Sequence, residues 1–563
     1  MKIRIEQLNP IIGDLKGNKS LIVEALSSAE KSGMDLLILP EMSLTGYPTQ
    51  DLLEVQAFRD ECYKINDEII MLTGSTALLF GSITPNKKQF GRKVFNSALL
   101  AKDGVLLGTV HKTLLPTYDI FDDLRYFEPN DEFNCIDLDG IKLGVTICED
   151  IWYNENEVQY HTYPINPAEE LKKLGADIII NISASPYTNT KHQNREKMLQ
   201  NHTRRLELPL LYSNQVGAHT DVIFDGDSMA IDAKGNVIAR TKAFEPSFAD
   251  VELDNKSGNV EPLGDRDQNV IYPALKAERQ FSAIRLGLRD YIEKTGVADS
   301  VVFGLSGGID SAVGCALAVE ALSPGQVKAI TLPAEFSSEG SVTDSRELAK
   351  NLGIDLFEIP IQKIFETFRS TLAPVFKDEP FGVAEENLQS RIRGTILMAY
   401  ANKFGSLLMA TGNKSEYAVG YATLYGDMNG ALSLIGDLYK TEVYEMAKWL
   451  NSSYYRKEVI PEAIINKAPS AELRPDQKDS DSLPEYEILD KLLFNYIELQ
   501  KSRSQIIHEG FEVATVDRIL KLVDYNEFKR NQAVPILKVS SKSFGSGRRW
   551  PIVQKWTANR TSF

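Results

Sequence analysis

The sequence predicts an α/β protein made of two successive α/β units. Three observations carry that expectation. Short apolar runs alternate with amphipathic helical patterns from the start of the chain. Around residues 254–272 the pattern lapses into DNKSGNVEPLGDRDQNVIY, polar and turn-rich. It then resumes as strand, glycine loop and helix in SVVFGLSGGIDSAVGCALAVEAL. A chain of 563 residues is also too long for one hydrophobic core.

Taken in order, KIRIEQL reads as a strand with alternating sides, and NKSLIVEALSSAEKSG as an amphipathic helix ending at a glycine. DLLILPE follows as a buried strand. SALLA, GVLLGTV, KLGVTIC, ADIIINIS, LPLLYSN, DSMAID and NVIAR read as further strands, with DAKGN a hairpin turn between the last two. So many strands with helical connections predict a layered α/β unit holding two sheets. Residues 261–275 are the expected linker between a first domain, 1–260, and a second, 276–563. In the second, ALKAERQFSAIRLGLRDYIEKTG reads as a helix, and QVKAITLPA and GSLLMATG as parallel strands, predicting a doubly wound parallel sheet. RPDQKDSDSLPEYE reads as an exposed acidic loop.

Composition narrows the class. Apolar residues make up 43% and charged residues 25%, as in ordinary globular proteins, and the net charge of -16 argues against nucleic acid as the main partner. Cys62, Cys135, Cys148 and Cys315 form no clustered spacing, which fits a reducing compartment and neither a disulfide framework nor a structural zinc site. No apolar run is long enough to span a bilayer and the first residues lack a secretory signal pattern, so a cytoplasmic protein is expected.

GLSGGIDSA, Gly304–Ala312, lies between a strand and a helix. Its glycines allow a tight turn and close approach to a ligand, and the helix N-terminus favours an anion. It is neither the dinucleotide GxGxxG nor the GxxxxGK[ST] loop. SGGIDS resembles the signature of the ATP pyrophosphatase superfamily, which cleaves ATP between its α- and β-phosphates. That resemblance assigns ATP binding to Gly304, Leu305, Ser306, Gly307, Gly308, Ile309, Asp310 and Ser311, with Asp310 helping to hold Mg²⁺. ENLQSRIRG, ATGNKSE, LIGDLYKTEVYEMAKWL and EFKRNQ, in that order, resemble the synthetase part of NAD synthetases. By that likeness Thr411 and Lys440 bind ATP, Asn387, Glu416 and Lys529 bind deamido-NAD, and Glu416 also faces the metal. Taken singly, Asn387 and Glu416 fit helix-terminal roles and both lysines fit solvated surface charges. One departure stands out: the small ammonia-using synthetases carry a lysine where Leu424 stands, although Asp427 fits their pattern.

An amidating enzyme needs nitrogen, and ammonium at neutral pH is not nucleophilic; hydrolysing a glutamine amide would supply it. LGVTICEDIW ends an apolar run at Cys148 and continues into two acids, a poor setting for a thiolate. On those residues alone, a small core cysteine and a nucleophile served by a distant base are both open. LLILPEMSLTGYP puts Glu41 just past a buried strand, and LGTVHKTLLPTYDIFDDLRYFEPN puts Lys112 past another. In order, the three segments resemble the Glu–Lys–Cys segments of the nitrilase, or carbon–nitrogen hydrolase, superfamily, whose fold is an α-β-β-α sandwich. The resemblance makes Glu41 the base, Lys112 the oxyanion partner with the Glu149 backbone N–H, and Cys148 the nucleophile, and leaves the Glu149 side chain free for substrate. It assigns glutamine to Tyr118, Ser185 and Lys191, with Phe121 lining the pocket, although Tyr118 and Phe121 also fit core packing. His111 reads as structural.

The whole chain therefore resembles the glutamine-dependent NAD synthetases. The resemblance implies the substrates L-glutamine, ATP and deamido-NAD, Mg²⁺, internal transfer of ammonia, a homo-oligomer, and no nucleic-acid or membrane partner. A ligase amidating another carboxylate or nucleotide, and a binding protein with inactive domains, are the alternatives.

Overall fold

A computed structural model of the chain describes residues 1–152, 163–254, 257–264, 270–475 and 477–556. The chain divides into two compact units, Met1–Ala274 and Leu275–Phe563.

The first unit holds two large sheets. One runs Val260–Pro262, Ser247–Leu253, Lys2–Gln7, Leu36–Ile38, Ala77–Pro85, Val94–Lys102, Val105–His111. The other runs Val237–Arg240, Met229–Ile231, Leu210–Asn214, Ile178–Ser183, Ile141–Ile147, Ile136–Leu138. Strand alternation explains why they stack. Leu36, Ile38, Ala77 and Leu79 point into one cluster with Ile178, Ile180 and Ile182 of the other sheet. The residues between them, Leu37, Leu39, Leu78 and Phe80, pack outward under the helices Leu15–Lys31 and Gln56–Met71. Ile179 likewise faces outward, beneath Pro167–Lys173 and Lys191–Leu206. With both faces of both sheets covered, the order of layers is helix, sheet, sheet, helix.

Several expectations need adjusting. Ala77–Pro85 is a further strand, not read in the sequence, buried along most of its length. The polar run assigned to the linker is not all connector: Val260–Pro262 pairs antiparallel with Ser247–Leu253, Val260 facing the core and Glu261 exposed. It is a short edge strand ended by proline, which looks like a loop in sequence; residues 265–269 lie outside the described residues. Tyr272 is also buried. Its hydroxyl donates to Asp225 Oδ2 at 2.8 Å and its ring stacks on His192, centroids 4.2 Å apart. Asp225 meanwhile accepts both Nη atoms of the buried Arg195, which also reaches Asp227.

The second unit is a five-stranded parallel sheet, ordered Asp355–Glu358, Val327–Thr331, Val301–Gly304, Leu407–Ala410, Leu432–Ser433. The strand order reverses beside Val301–Gly304, whose neighbours come from later in the chain on both sides. Ligands bind such sheets beyond the carboxyl ends of the strands at this reversal. The loops leaving there are 305–308 and 411–413. The acidic stretch 474–487 is not simply exposed: Asp479 is buried and receives the Tyr486 hydroxyl at 2.8 Å, while Asp476 lies outside the described residues.

Candidate active site

In the first unit the sequence candidates leave the ends of strands. Glu41 follows Leu36–Ile38, Lys112 follows Val105–His111, and Cys148 follows Ile141–Ile147 at the first position of a 3-10 turn, with φ of 45°. All three are buried. Lys112 Nζ donates to Glu41 Oε1 at 2.8 Å and to Asp123 Oδ2 at 2.7 Å. Glu41 also accepts from Asn96 Nδ2 at 2.7 Å and from the Ala184 backbone N–H at 2.7 Å, so residues from both sheets converge on one carboxylate. Asp123 in turn receives the Tyr47 hydroxyl at 2.8 Å.

Burial, then the Glu41 charge, push the Cys148 thiol well above its ordinary range, against the pull of Lys112. At rest the sulfur is protonated, so attack requires a base at the moment of reaction.

Two of the residues assigned to glutamine, Tyr118 and Lys191, lie near enough to the Cys148 sulfur to interact with it electrostatically. The Glu149 carboxylate is not free: it accepts the hydroxyls of Tyr118 at 3.0 Å and Tyr163 at 2.8 Å. Lys191 opens the helix Lys191–Leu206, with Nζ 5.6 Å from the Phe121 ring centre and 5.3 Å from that of Trp152; burial lowers its pKa. Phe121 packs edge-on against Tyr118 at 5.3 Å. The fully buried Ser185 hydroxyl has no hydrogen-bond partner among the described residues, an unmet polar group of the kind a substrate would satisfy. His111 is structural, stacked on Phe95 and bonded to Ser97 Oγ at 2.8 Å.

In the second unit a cleft of about 280 Å³ opens where the sheet reverses. All of Gly304 to Ser311 lines it, with Thr411, Glu416, Lys440, Asp427 and Tyr421. Gly307 has φ of 76°, and a Cβ there would meet the Ser341 carbonyl oxygen at 2.3 Å, so the loop tolerates only glycine. Ser311 Oγ donates to the Gly308 carbonyl at 3.1 Å and Gly308 N–H to Ser306 Oγ at 3.3 Å, shaping a turn on the N-terminus of the helix Ile309–Ala321.

Lys440 Nζ is salt-bridged to Asp310 Oδ2 and lies 3.4 Å from Glu416 Oε1. Asp310 also accepts Asn413 Nδ2 at 3.0 Å. Burial, then Asp310, raise the Glu416 pKa to about 8. Among the described residues no three His, Cys, Asp or Glu side chains are grouped to hold a metal ion. Asp310 and Glu416 are nevertheless a fitting donor set for Mg²⁺, which takes one or two carboxylates together with substrate phosphates.

Asn387 and Lys529 are not among the cleft-lining residues. Asn387 Oδ1 accepts Thr423 Oγ1 at 2.8 Å, and Lys529 Nζ donates to the carbonyls of Gly420 and Ala422 at 2.7 and 2.9 Å. Both shape the 420–427 loop that carries Tyr421 and Asp427 into the cleft. Sequence reasoning also missed Asp123 and Asn96, which bond Lys112 and Glu41, and Arg393 and Asp479, which line the cleft. Asp123 stood in the DIFDDLR segment, where one of three aspartates gives no signal of its own.

Comparison with known proteins agrees with both halves. Residues 2–259 match the carbon-nitrogen hydrolase family and residues 280–533 the NAD synthase family. A glutamine-dependent NAD(+) synthetase from Synechocystis is 44% identical over 98% of both chains. The chain belongs to the glutamine-dependent NAD(+) synthetase family. Another such synthetase, from Thermotoga maritima, is 39% identical over 99% of each chain. The solved structure of an Acinetobacter baumannii glutamine-dependent NAD+ synthetase, in complex with ADP, aligns over 99% of both chains with a TM-score of 0.76 at 36% identity.

Proposed function

We propose that this chain amidates deamido-NAD to NAD⁺ with ammonia taken from L-glutamine, cleaving ATP to AMP and diphosphate. The supporting observation is the pairing of a buried Glu41–Lys112–Cys148 cluster with a cleft lined by the whole SGGIDS loop and Lys440. Residues 1–260 act as the glutamine amidohydrolase and 276–563 as the synthetase.

In the first reaction Glu41 takes the Cys148 proton as the sulfur attacks the glutamine amide, and returns it to the departing ammonia. Lys112 and the Glu149 N–H stabilise the tetrahedral oxyanion. Asp123 gives Lys112 a second carboxylate, keeping it charged while Glu41 cycles through its protonated form. Tyr118, Ser185 and Lys191 hold the amino-acid end of glutamine, with Lys191 meeting its α-carboxylate. Water then cleaves the thioester to glutamate.

In the second reaction the loop Gly304–Ser311 cradles the ATP phosphates with backbone N–H groups, Thr411 contacts the nucleotide, and Lys440 neutralises phosphate charge. Asp310 and Glu416 would hold Mg²⁺, which offsets charge on the leaving diphosphate. Asn387, Glu416 and Lys529 serve deamido-NAD; for Asn387 and Lys529 this is through the 420–427 loop. The adenylated nicotinate carboxylate is then attacked by ammonia. The same reading takes the protein to be cytoplasmic and homo-oligomeric, with small-molecule partners only; among the described residues no helix is long and apolar enough to cross a membrane.

Glutamine labelled with ¹⁵N in its side chain tests this directly. The label is expected in the NAD⁺ carboxamide, and unlabelled NAD⁺ formed from labelled glutamine would reject the reading.

A further inference from the structure

We propose that Asp150 is a positioning residue that locks the nucleophile turn to the segment carrying the oxyanion lysine. The proposal rests on the glutaminase reading of Cys148 and Lys112. Asp150 lies two residues past Cys148, 1% exposed, and among the described residues its three hydrogen-bond partners are all backbone amides. Oδ2 accepts the N–H of Ile147 at 3.0 Å. Oδ1 accepts the N–H groups of Thr113 at 3.0 Å and Leu114 at 2.7 Å. Ile147 immediately precedes the nucleophile, and Thr113 immediately follows Lys112.

The two segments have no ladder in common. Ile141–Ile147 belongs to the six-stranded sheet and Val105–His111 to the seven-stranded one, so sheet hydrogen bonding cannot fix one strand end against the other. A single carboxylate spans that gap at the point where both reacting residues leave their strands. The turn it braces is strained: Cys148 sits at φ 45°, a left-handed conformation that persists only when its surroundings over-determine it. On the other side, Asn181 Nδ2 donates to the Cys148 carbonyl at 3.4 Å. Only a carboxylate can accept from both directions. An asparagine of the same size would turn one oxygen into an N–H₂ donor facing an amide N–H.

The test is Asp150→Asn in the full chain. Glutamine hydrolysis is expected to lose on the order of 100-fold in kcat, the usual cost of misplacing reacting groups by about 1 Å. KM for glutamine and ammonium-supported synthesis should stay within about threefold, since neither uses the alignment of sulfur and lysine. Hydrogen exchange should accelerate together in peptides covering Ile147 and Thr113–Leu114. A kcat within about threefold of the native value, a rise in KM alone, equal loss with ammonium, or faster exchange in one segment only would each overturn the proposal. Should the variant not fold, exchange in the native chain decides: the amides of Ile147, Thr113 and Leu114 are expected to be comparably slow, and loop-like exchange at Thr113 and Leu114 overturns it. A native chain that releases no ammonia from glutamine would instead refute the glutaminase reading, and the exchange measurement would still judge the clamp.

Discussion

Replacing Lys112 with methionine probes the first site most sharply, because stability and catalysis should respond separately. The ammonium is fully buried and bridges Glu41 at 2.8 Å and Asp123 at 2.7 Å. Removing it leaves two buried carboxylates with one fewer cation, and breaking a buried pair in this way costs about 3–5 kcal/mol. Burial already raises the Asp123 pKa and Lys112 is the main influence lowering it, so the variant should raise it further. The sign follows from linkage. A carboxyl whose folded pKa exceeds its unfolded value binds more protons when folded, so its stability contribution is intact below the unfolded pKa and is lost as pH rises through the folded one. The gap in stability between native and variant protein should therefore widen from pH 5 to pH 8 in denaturant titrations. Adding Asp123→Asn should recover much of that loss without restoring glutamine hydrolysis, which should stay about 100- to 1,000-fold down for want of the oxyanion partner. A gap independent of pH, or a double variant regaining glutaminase activity, would refute the reasoning.

Other outcomes follow from the same geometry. Cys148→Ala should abolish glutamine-supported NAD⁺ synthesis and spare synthesis from ammonium salts; equal loss with both donors would contradict the division of labour. Asp310→Asn should remove synthesis with either donor, measured as AMP release, because it strips a carboxylate from Lys440 and from the site proposed for Mg²⁺. Gly307→Ala should do the same while sparing glutamine hydrolysis, since its Cβ would collide with the Ser341 carbonyl. The His111 pKa is depressed to about 4, chiefly by burial, so its share of stability is present above pH 6.5 and lost as pH falls toward 4. His111→Asn should flatten the acid limb of the stability profile by up to one proton, and an unchanged slope would count against it.

Much of both sites was legible because the chemistry sits where strands end. Glu41 breaks an apolar run where packing explains an acid poorly, whereas Cys148 alone fits a core residue and gains its role, with Lys112, from the order of the three segments and their resemblance to the nitrilase superfamily. The SGGIDS loop was legible for a related reason: its glycines and its place between strand and helix are local properties. What stayed hidden was pairing across the fold. Asp123 meets Lys112 only through the chain's path from residue 112 to 123, and Asn96 reaches Glu41 from a strand two removed in the sheet. Asp479 sat in a stretch whose acidity suggested solvent, yet it is buried beside the Tyr486 hydroxyl. The charge and motif order of Lys529 are visible in the sequence, whereas its two carbonyl partners on the 420–422 turn are not. The edge strand Val260–Pro262 is short, polar and ended by proline, which gives it the look of a loop.

The fastening of Tyr272 sets a practical boundary for anyone dissecting this protein. His192 and Arg195 lie on the first turns of the helix that begins at Lys191, and Tyr272 closes over the former while bonding the aspartate that grips the latter. A fragment trimmed at residue 260 would strip away that cover and unsettle the very end of the helix that points an amine toward the thiol. An excised amidase half should therefore keep its tail through Ala274.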